Sequence, residues 1–418
     1  MQRRGTSHFG IGAALTISVL LVNACAPAAA PPATTAPAAA PTSAPAAAPT
    51  TAPTTAAAAP TRAAAPTTAA APTTAAATPA AAPTRAVTPA AATPAAAATR
   101  AATPAAAASP TAAAVAPVPA IPTVAPAPGK QYKIAFSVPA LSFPFFQIME
   151  KDIKKEGQRL NVTINTLDGE DQTTKQTADI EAAIAQKVDG IVISPKDVDA
   201  LVPAIEEANS AKIPVVTVDR TINKQELLLG HVGADNVEGG RLQARYVLDQ
   251  FKNKQGPAKI ILLRGEPGSS PERDRSAGIL DVVNANKDKL QIVFDQTAHF
   301  RRAEAATVME NAITAVPQFD AVIAENDEMI EGASQVIKAK GLEGKVLMVG
   351  FDAIDETLQH IKEGTINATI EQWPGKQSAG ALNLLYNDLA YGKQPAQKIN
   401  FITPTLITKD NISETEEH

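Results

Sequence analysis

Cysteine is nearly absent from this chain of 418 residues, which has one cysteine and five histidines. A single cysteine excludes an intramolecular disulfide framework and a cysteine-based zinc cluster. The formal net charge of -5 provides no basic face for nucleic acid. The sequence also lacks the GxSxG, Walker A and HExxH motifs. We therefore predict no metal, no cofactor and no nucleic-acid partner.

Long hydrophobic runs are scarce as well, and the main one lies at the N-terminus. Two arginines precede an apolar stretch at residues 11–22, which is short for a membrane span and typical of a secretory signal peptide. The stretch ends in LVNAC, with Cys25 last. This pentapeptide resembles a bacterial lipobox, in which an aliphatic residue and a small residue precede a lipid-modified cysteine. The resemblance implies a signal peptide over residues 1–24 and lipidation of Cys25.

The segment after Cys25 consists almost wholly of alanine, proline and threonine, up to about residue 129. Alanine and proline bury little apolar surface, and repeated proline removes helix donors, so this segment cannot form a core. We predict a disordered tether with polyproline II character over residues 25–129. Such a tether would hold a globular head away from its lipid anchor, which would be the head's sole link to the membrane.

Strand-like and helix-like stretches alternate from residue 130 onward. The β-branched run IPVVTVDR at residues 213–220 is typical of a strand covered on both faces. It ends the first series, and the same alternation restarts with a helix at residues 236–251. This pattern predicts two doubly wound parallel-sheet α/β lobes with a ligand cleft between them. The predicted N-terminal lobe comprises residues 130–233 and about 373–400, and the predicted C-terminal lobe comprises residues 234–372 and about 401–414.

Polar and aromatic side chains follow the predicted strands, at the sheet edge where α/β folds place ligands. They supply carboxylates, amides, arginines and apolar rings, without a nucleophile–base pair. Carboxylates, amides and guanidinium groups can satisfy neighbouring hydroxyls in pairs, and rings can pack on the C–H faces of a sugar. This mixture indicates a neutral carbohydrate. The candidate ligand-binding residues are Phe145, Phe146, Ser194, Asp219, Arg220, Arg275, Phe300, Asn326, Asp352 and Gln372.

Seven short motifs occur in one order along the head. They are PFF at 144–146, IPVVTVDR at 213–220, ADNVEGG at 234–240, ERDRSAG at 272–278, AENDEM at 324–329, VGFD at 349–352 and ATIEQ at 368–372. With these motifs, residues 133–407 resemble the ribose-type periplasmic sugar-binding proteins that feed ABC transporters. The resemblance implies a non-enzymatic, extracytoplasmic receptor with a monomeric head. Its lobes would close over a monosaccharide and deliver it to a permease and its ATPase.

The resemblance also assigns roles and shows two departures. It implies that Phe146 and Phe300 pack on the sugar, with Phe145 close by. It also implies that the sugar hydroxyls are bound by Asp219, Arg220, Arg275, Asn326, Asp352 and Gln372. Arg275 fits the motif spacing better than Arg273. The family pattern has asparagine where this chain has Phe143 and Ser194. Two lost amides and one gained ring put ribose itself in doubt. A pentose, a hexose or a related polyol remains the expected ligand.

Several alternatives stay open at this point. Arg275 has a surface ion pair as an alternative role, and Asp352 and Asn326 have helix capping. Nucleosides and signalling furanoses are alternative ligands, and a chemoreceptor is a second possible partner. Asp219 and Asp352 could imitate a glycosidase pair, although nothing in the sequence suggests a raised pKa. A repressor of the lac type would need a helix-turn-helix in place of the signal peptide.

Overall fold

The computed structural model describes residues 123–416. The predicted signal peptide, the lipidated Cys25 and the predicted tether up to residue 122 lie outside the described residues. Among the described residues, no helix combines the length and the apolar character needed to cross a membrane.

The first lobe is a parallel sheet with helices on both faces. Its strands are ordered β11-β5-β4-β3-β1-β2, and every neighbouring pair runs parallel. Its elements are β1 Tyr132–Val138, α1 Pro144–Leu160, β2 Val162–Asp168, α2 Thr173–Ala185, β3 Gly190–Ile193, α3 Val202–Ser210, β4 Val215–Val218, β5 Gly230–Ala234, α9 Pro374–Tyr391 and β11 Ile399–Ile402, with a short 3-10 turn at Gln225–Leu227.

The second lobe repeats this design, with one antiparallel edge. Its strands are ordered β12-β10-β9-β8-β6-β7, and only β12 runs antiparallel to its neighbour. Its elements are α4 Asn236–Gln250, β6 Ala258–Arg264, α5 Ser270–Ala285, β7 Leu290–Thr297, α6 Arg302–Ala315, β8 Ala321–Ala324, α7 Asp327–Ala339, β9 Leu347–Val349, α8 Asp355–Glu363, β10 Ala368–Glu371 and β12 Thr405–Thr408, followed by a 3-10 turn at Ile412–Glu414.

The central strands are apolar on both faces because helices cover both. Every residue of β3 and β4 is buried, and their side chains divide between two apolar clusters of the first lobe. Helix α1 presents Met149 and Ile153 to one of these clusters. The continuous β-branched run at residues 213–218 thus forms a central strand, as its pattern predicts. The prediction of two parallel-sheet α/β lobes is confirmed.

The chain crosses between the lobes after β5, after β10 and after β11. The predicted first lobe ends its first segment at residue 233, whereas β5 continues to Ala234 and pairs with β4 and β11, so the first crossing follows Ala234. The last crossing follows Ile402, because β11 pairs with β5 through that residue and not only to about residue 400. At the second crossing, Trp373 has a φ of 62° and its indole donates to the carbonyl of Thr403 at 3.1 Å. This bond ties two crossings together.

The end of the predicted tether packs on the first lobe instead of being disordered. Val124 and Ala127 lie against the apolar cluster that contains α9 residues. Their backbone N–H groups donate to the side chains of Asn383 and Tyr386, at 2.9 and 2.8 Å. The Tyr391 hydroxyl donates to the Ala125 carbonyl at 2.8 Å. Residues 123–129 are therefore a docked strap that begins the folded head, because α9 satisfies their backbone and covers their apolar side chains.

Candidate functional site

One cavity lies between the lobes at the carboxyl ends of their strands. The structure brings nine of the ten predicted residues together around it. The lining residues are Phe143, Phe145, Phe146, Asp219, Arg220, Pro271, Arg275, Phe300, Asn326, Asp352 and Gln372.

Ser194, the tenth predicted residue, lies behind this lining. It is fully buried, and its hydroxyl donates to Oδ2 of Asp219 at 3.1 Å. The serine side chain is too short to pass Asp219, so it orients that carboxylate and does not reach the cavity surface. The first-lobe polar contribution to the cavity is therefore Asp219 and Arg220.

Strained backbone presents three of the lining side chains. Asp219, Phe300 and Asp352 have φ values of 59°, 60° and 123°, a region that non-glycine residues rarely adopt. Each such residue costs on the order of 1–3 kcal/mol and persists only where the surroundings fix it. Asp219 directly follows β4, and Phe300 and Asp352 lie shortly after β7 and β9, at the strand ends that face the cavity. Strain concentrated at one edge indicates that this edge has a function.

Arg220 lies between aromatic rings of both lobes. Its guanidinium carbon is 5.6 Å from the centre of the Phe146 ring and 5.5 Å from that of Phe300. The side chain is buried, yet its Nε has no hydrogen-bond partner among the described residues. Its nearest carboxylate oxygen, on Asp219, is 3.7 Å away. A buried guanidinium with donors to spare is suited to a ligand that accepts hydrogen bonds.

Arg275 is the second-lobe counterpart and is held more firmly. Its Nε donates to Oδ1 of Asn236 at 2.8 Å, and Nη1 donates to the carbonyl of Glu325 at 2.5 Å. The guanidinium covers the Phe351 ring at 3.6 Å and lies 3.6 Å from Asp352. Because Nη2 forms no hydrogen bond to a described residue, it remains a donor for the cavity. The alternative role in a surface ion pair belongs to its exposed neighbour Arg273.

Asn326 combines both of the roles that the sequence left open. Its Oδ1 accepts the N–H of Met329 at 3.0 Å and caps α7, while its side chain also lines the cavity. Asp352 does not cap α8, which begins after Ile354 with no side-chain cap. Instead, Oδ1 of Asp352 accepts Nε2 of Gln372 at 2.6 Å. These bonds fix the side-chain amides of Asn326 and Gln372. The second carboxylate oxygen of Asp352 remains available to accept a hydrogen bond from a ligand.

Burial changes the electrostatics of the cavity. Burial raises the pKa of Asp219, although Arg220 and Arg275 oppose the shift. Burial likewise raises the pKa of Asp352 to about 7, against the attraction of Arg275. These raised pKa values have no signature in the sequence, which does not show how completely the closed lobes exclude water. When both carboxylates are ionised they balance the two arginines, which suits a neutral ligand.

Sequence reasoning missed the residues that support this lining from behind. Glu325 is fully buried and accepts the N–H of Gly265 at 2.8 Å and the Ser276 hydroxyl at 2.5 Å. Burial raises its pKa to about 8. Gly265 leaves room for the Phe300 ring, since a Cβ there would overlap it. The position of Glu325 beside Asn326 was the available signal, but adjacency does not reveal which side chain points inward.

Four charged side chains join the lobes at the rim of the cleft. Lys196 and Asp171 of the first lobe form an ion pair at 2.6 Å, and Lys196 is 3.4 Å from Glu266 of the second. Arg301 of the second lobe donates through Nε to Asp171 at 2.9 Å. Burial opposes ionisation of Asp171, but its bonds to Lys196 and Arg301 outweigh burial and lower its pKa. We call these four residues the rim network.

Metal-type ligands also occur away from the cavity, between α7 and α8. Oxygen and nitrogen atoms of Glu331, Glu356 and His360 lie within 4.8 Å of one another. Glu331 accepts bonds from Thr357 at 2.7 Å and forms a 2.8 Å bond with Nδ1 of His360. Glu356 pairs with the Arg302 side chain. These partners account for the cluster as packing between helices.

Two α/β lobes that close over a charge-balanced cavity with aromatic walls define a two-lobed ligand-binding protein. Residues 134–394 match the periplasmic binding protein domain family, and the chain belongs to that family. The predicted resemblance to ribose-type periplasmic sugar-binding proteins is confirmed. Membership of this family implies a location outside the cytoplasm.

Named relatives cover most of the head. The chain is 36% identical over 276 residues to the ribose import binding protein of Bacillus subtilis (strain 168), covering 65% of this chain and 86% of that protein. The structure of a Caulobacter myo-inositol binding protein with myo-inositol is 34% identical and has a TM-score of 0.65, covering 69% of this chain and 97% of the other. An arabinose transporter component from Shewanella sp. ANA-3, bound to L-arabinofuranose, is 29% identical with a TM-score of 0.63, covering 67% and 93%.

Proposed function

We propose that the head is the solute-binding protein of an ABC importer and binds one neutral monosaccharide or polyol between its lobes. The observation that carries this proposal is the composition of the cavity. Asp219 with Arg220, and Asp352 with Arg275, offer two carboxylate–guanidinium pairs, one from each lobe. Each pair can accept from one hydroxyl and donate to the next, while the phenylalanine rings pack on C–H faces.

Closure follows from the distribution of these groups. Each lobe contributes one carboxylate–guanidinium pair, so a ligand bound by both lobes stabilises the closed state over the open one. The three crossings after β5, β10 and β11 are the natural hinge. The charge balance of the ionised cavity groups favours a neutral ligand. The named relatives bind ribose, myo-inositol and arabinofuranose, which are all of this class.

Delivery and location complete the proposal. The head would hand its ligand to a membrane permease with its ATPase, and the same closed form could serve a chemoreceptor. It would act as a monomer, tethered outside the cytoplasm through lipid on Cys25. No reaction is proposed. Both cavity aspartates are engaged as acceptors, Asp219 by Ser194 and Asp352 by Gln372, which supports binding instead of glycoside hydrolysis.

Calorimetric titration of the purified protein tests the proposal. The ligands tested are D-ribose, L-arabinose, D-galactose, myo-inositol, xylitol and adenosine. For each ligand that binds, small-angle scattering measures the radius of gyration of the protein with and without it. We expect one or more of the sugars or polyols to bind with a 1:1 stoichiometry and to reduce the radius of gyration. Selective binding of adenosine would redirect the proposal to nucleosides. Absence of binding by every sugar and polyol would contradict it.

A further inference from the structure

Phe143 is an aromatic residue at the start of α1 that faces the cavity. It ends the loop between β1 and α1 and lines the cavity. Its ring packs against the apolar cluster of the second lobe as well as that of the first. It also meets the Phe146 ring edge-on, with ring centres 6.3 Å apart. Phe143 is therefore an apolar contact between the lobes at one edge of the cavity.

The local structure would favour a different residue at this position. Phe143 is the N-cap of α1, with a φ of -87°, a ψ of 124° and no side-chain cap. Asparagine, aspartate, serine and threonine are preferred there because they accept a hydrogen bond from the first turn. Five other α-helices of the described residues also lack a side-chain cap, so the missing cap alone does not mark a function. What distinguishes position 143 is an aromatic ring that lines the cavity.

Neither the backbone of Phe143 nor the nearby Gln147 amide offers a free hydrogen bond to a ligand. The Phe143 carbonyl already accepts the N–H groups of Phe146 and Gln147, at 3.1 and 3.3 Å, and its own N–H points to Ala140. The nearby Gln147 amide donates to the Leu141 carbonyl at 2.7 Å, on the exposed side of the loop. A ligand hydroxyl directed at Phe143 would lose water without gaining a partner.

We propose that Phe143 is a specificity-determining residue that selects a ligand with an apolar substituent on the side facing it. The chemical class is a deoxy or O-methyl sugar or polyol, in which hydrogen or methyl replaces one free hydroxyl. The inference rests on the proposed function and concerns the same cavity. The remaining hydroxyls are held by the carboxylate–guanidinium pairs of the two lobes.

The test compares matched sugars on the full chain and its variants by calorimetric titration. The pairs are D-galactose and 6-deoxy-D-galactose, L-mannose and L-rhamnose, D-ribose and 5-deoxy-D-ribose, and D-glucose and 3-O-methyl-D-glucose. We expect the native chain to prefer the deoxy or methylated member of one pair by about tenfold or more, which is ~1.4 kcal/mol. Phe143→Asn, which supplies an amide, is expected to reverse the ratio for that pair. Phe143→Leu, which keeps the position apolar, is expected to retain the native preference for the deoxy or methylated member.

Two controls keep the result interpretable. Asparagine is a good N-cap, which offsets part of the packing lost with the ring, and thermal unfolding of each variant checks that it folds. Ser142→Asn places the same amide one residue earlier, on an exposed position, and should leave every ratio unchanged. A native preference for the free hydroxyl in every pair, or an unchanged ratio in Phe143→Asn, would overturn the inference alone. No binding by any sugar in either form would overturn the proposed function with it.

Discussion

Asp219 carries the main polar contact that the first lobe makes with the cavity. Replacing it by asparagine keeps the shape of the side chain and an acceptor for the Ser194 hydroxyl. The change removes a charged acceptor from the cavity and leaves the buried Arg220 without its nearest counter-charge. A hydrogen bond to a charged group contributes roughly 1.5–3 kcal/mol. We therefore expect Asp219→Asn to weaken binding of the ligand found in the titrations by about 10- to 150-fold. Calorimetric titration measures this change.

Asp281→Asn is the matched control, because Asp281 is an exposed partner of Arg241 on the surface of α5. It should bind as the native chain does. Equal affinity in Asp219→Asn and the native chain would show that Asp219 is only a structural acceptor for Ser194.

Glu325 makes stability depend on pH without touching the cavity. Its pKa is raised by burial from 4.5 to about 8, so the folded state holds this proton more tightly than the unfolded state. The corresponding stability is fully present below pH 4.5 and is lost as the pH rises toward 8. We expect the unfolding free energy of the ligand-free protein to fall across this window. Glu325→Gln, which cannot ionise, should reduce the slope by up to ~1.4 kcal/mol per pH unit.

Urea unfolding at several pH values between 4.5 and 8.5 provides the measurement. Some slope remains in the variant, because Asp352 and Glu371 also have pKa values raised to about 7 by burial. Glu343→Gln, an exposed change in the loop after α7, should leave the native slope intact. A slope in Glu325→Gln as steep as the native one would refute the assignment.

At the scale of elements, the docked strap fixes where the folded head begins. Residues 123–129 give α9 two apolar contacts and accept or donate bonds with Asn383, Tyr386 and Tyr391. A shortened chain that starts at residue 130 exposes these partners to water. We expect it to be less stable than one starting at residue 123, by about 1–3 kcal/mol, since each such bond contributes ~1 kcal/mol and part is regained from water.

Chemical denaturation of the two shortened chains measures the difference. A third chain that starts at residue 116 serves as the control, because it differs from the form starting at 123 by a segment of equal length that lies before the strap. These two forms should share one denaturation midpoint. Identical midpoints for the forms starting at 123 and at 130 would mean that the strap adds nothing to the stability of the head.

The elements that the sequence predicted well are those with strong periodicity. The buried run at residues 213–218 and the helix at residues 236–251 matched β4 and α4 closely, because burial on two faces and on one face produce distinct patterns. The sequence GHVGA of β5 was missed, since two glycines and a histidine do not indicate a strand. β11 and β12 were missed too, because short edge strands with exposed positions have a weak pattern.

At the scale of the whole molecule, the site could be located but not completed from the sequence. Strand-end residues such as Asp219 and Asn326 were predictable because parallel strands bring their carboxyl ends to one edge. The depth of Ser194, the support from Glu325 and the contact of Phe143 with the second lobe depend on tertiary packing. That geometry results from contacts between residues far apart along the chain, which no local pattern encodes.

The rim network holds the lobes together outside the cavity, so it should control how fast the ligand leaves. Arg301→Gln removes the cation that bonds Asp171 across the cleft, while Lys196 and Glu266 remain. The pair is partly exposed, so the loss is on the order of 0.5–1 kcal/mol. We expect ligand dissociation to accelerate about two- to fivefold, measured by stopped-flow fluorescence.

The salt dependence distinguishes this electrostatic role from a change of shape. In the native chain, dissociation should become faster between about 0.05 and 0.5 M salt, because a partly exposed pair is screened over about a Debye length. That acceleration should be smaller in Arg301→Gln. Arg241→Gln removes an ion pair within the second lobe, between α4 and α5, and should leave both rate and salt dependence native. If Arg301→Gln released ligand at the native rate at low salt, closure would rest on the cavity contacts alone.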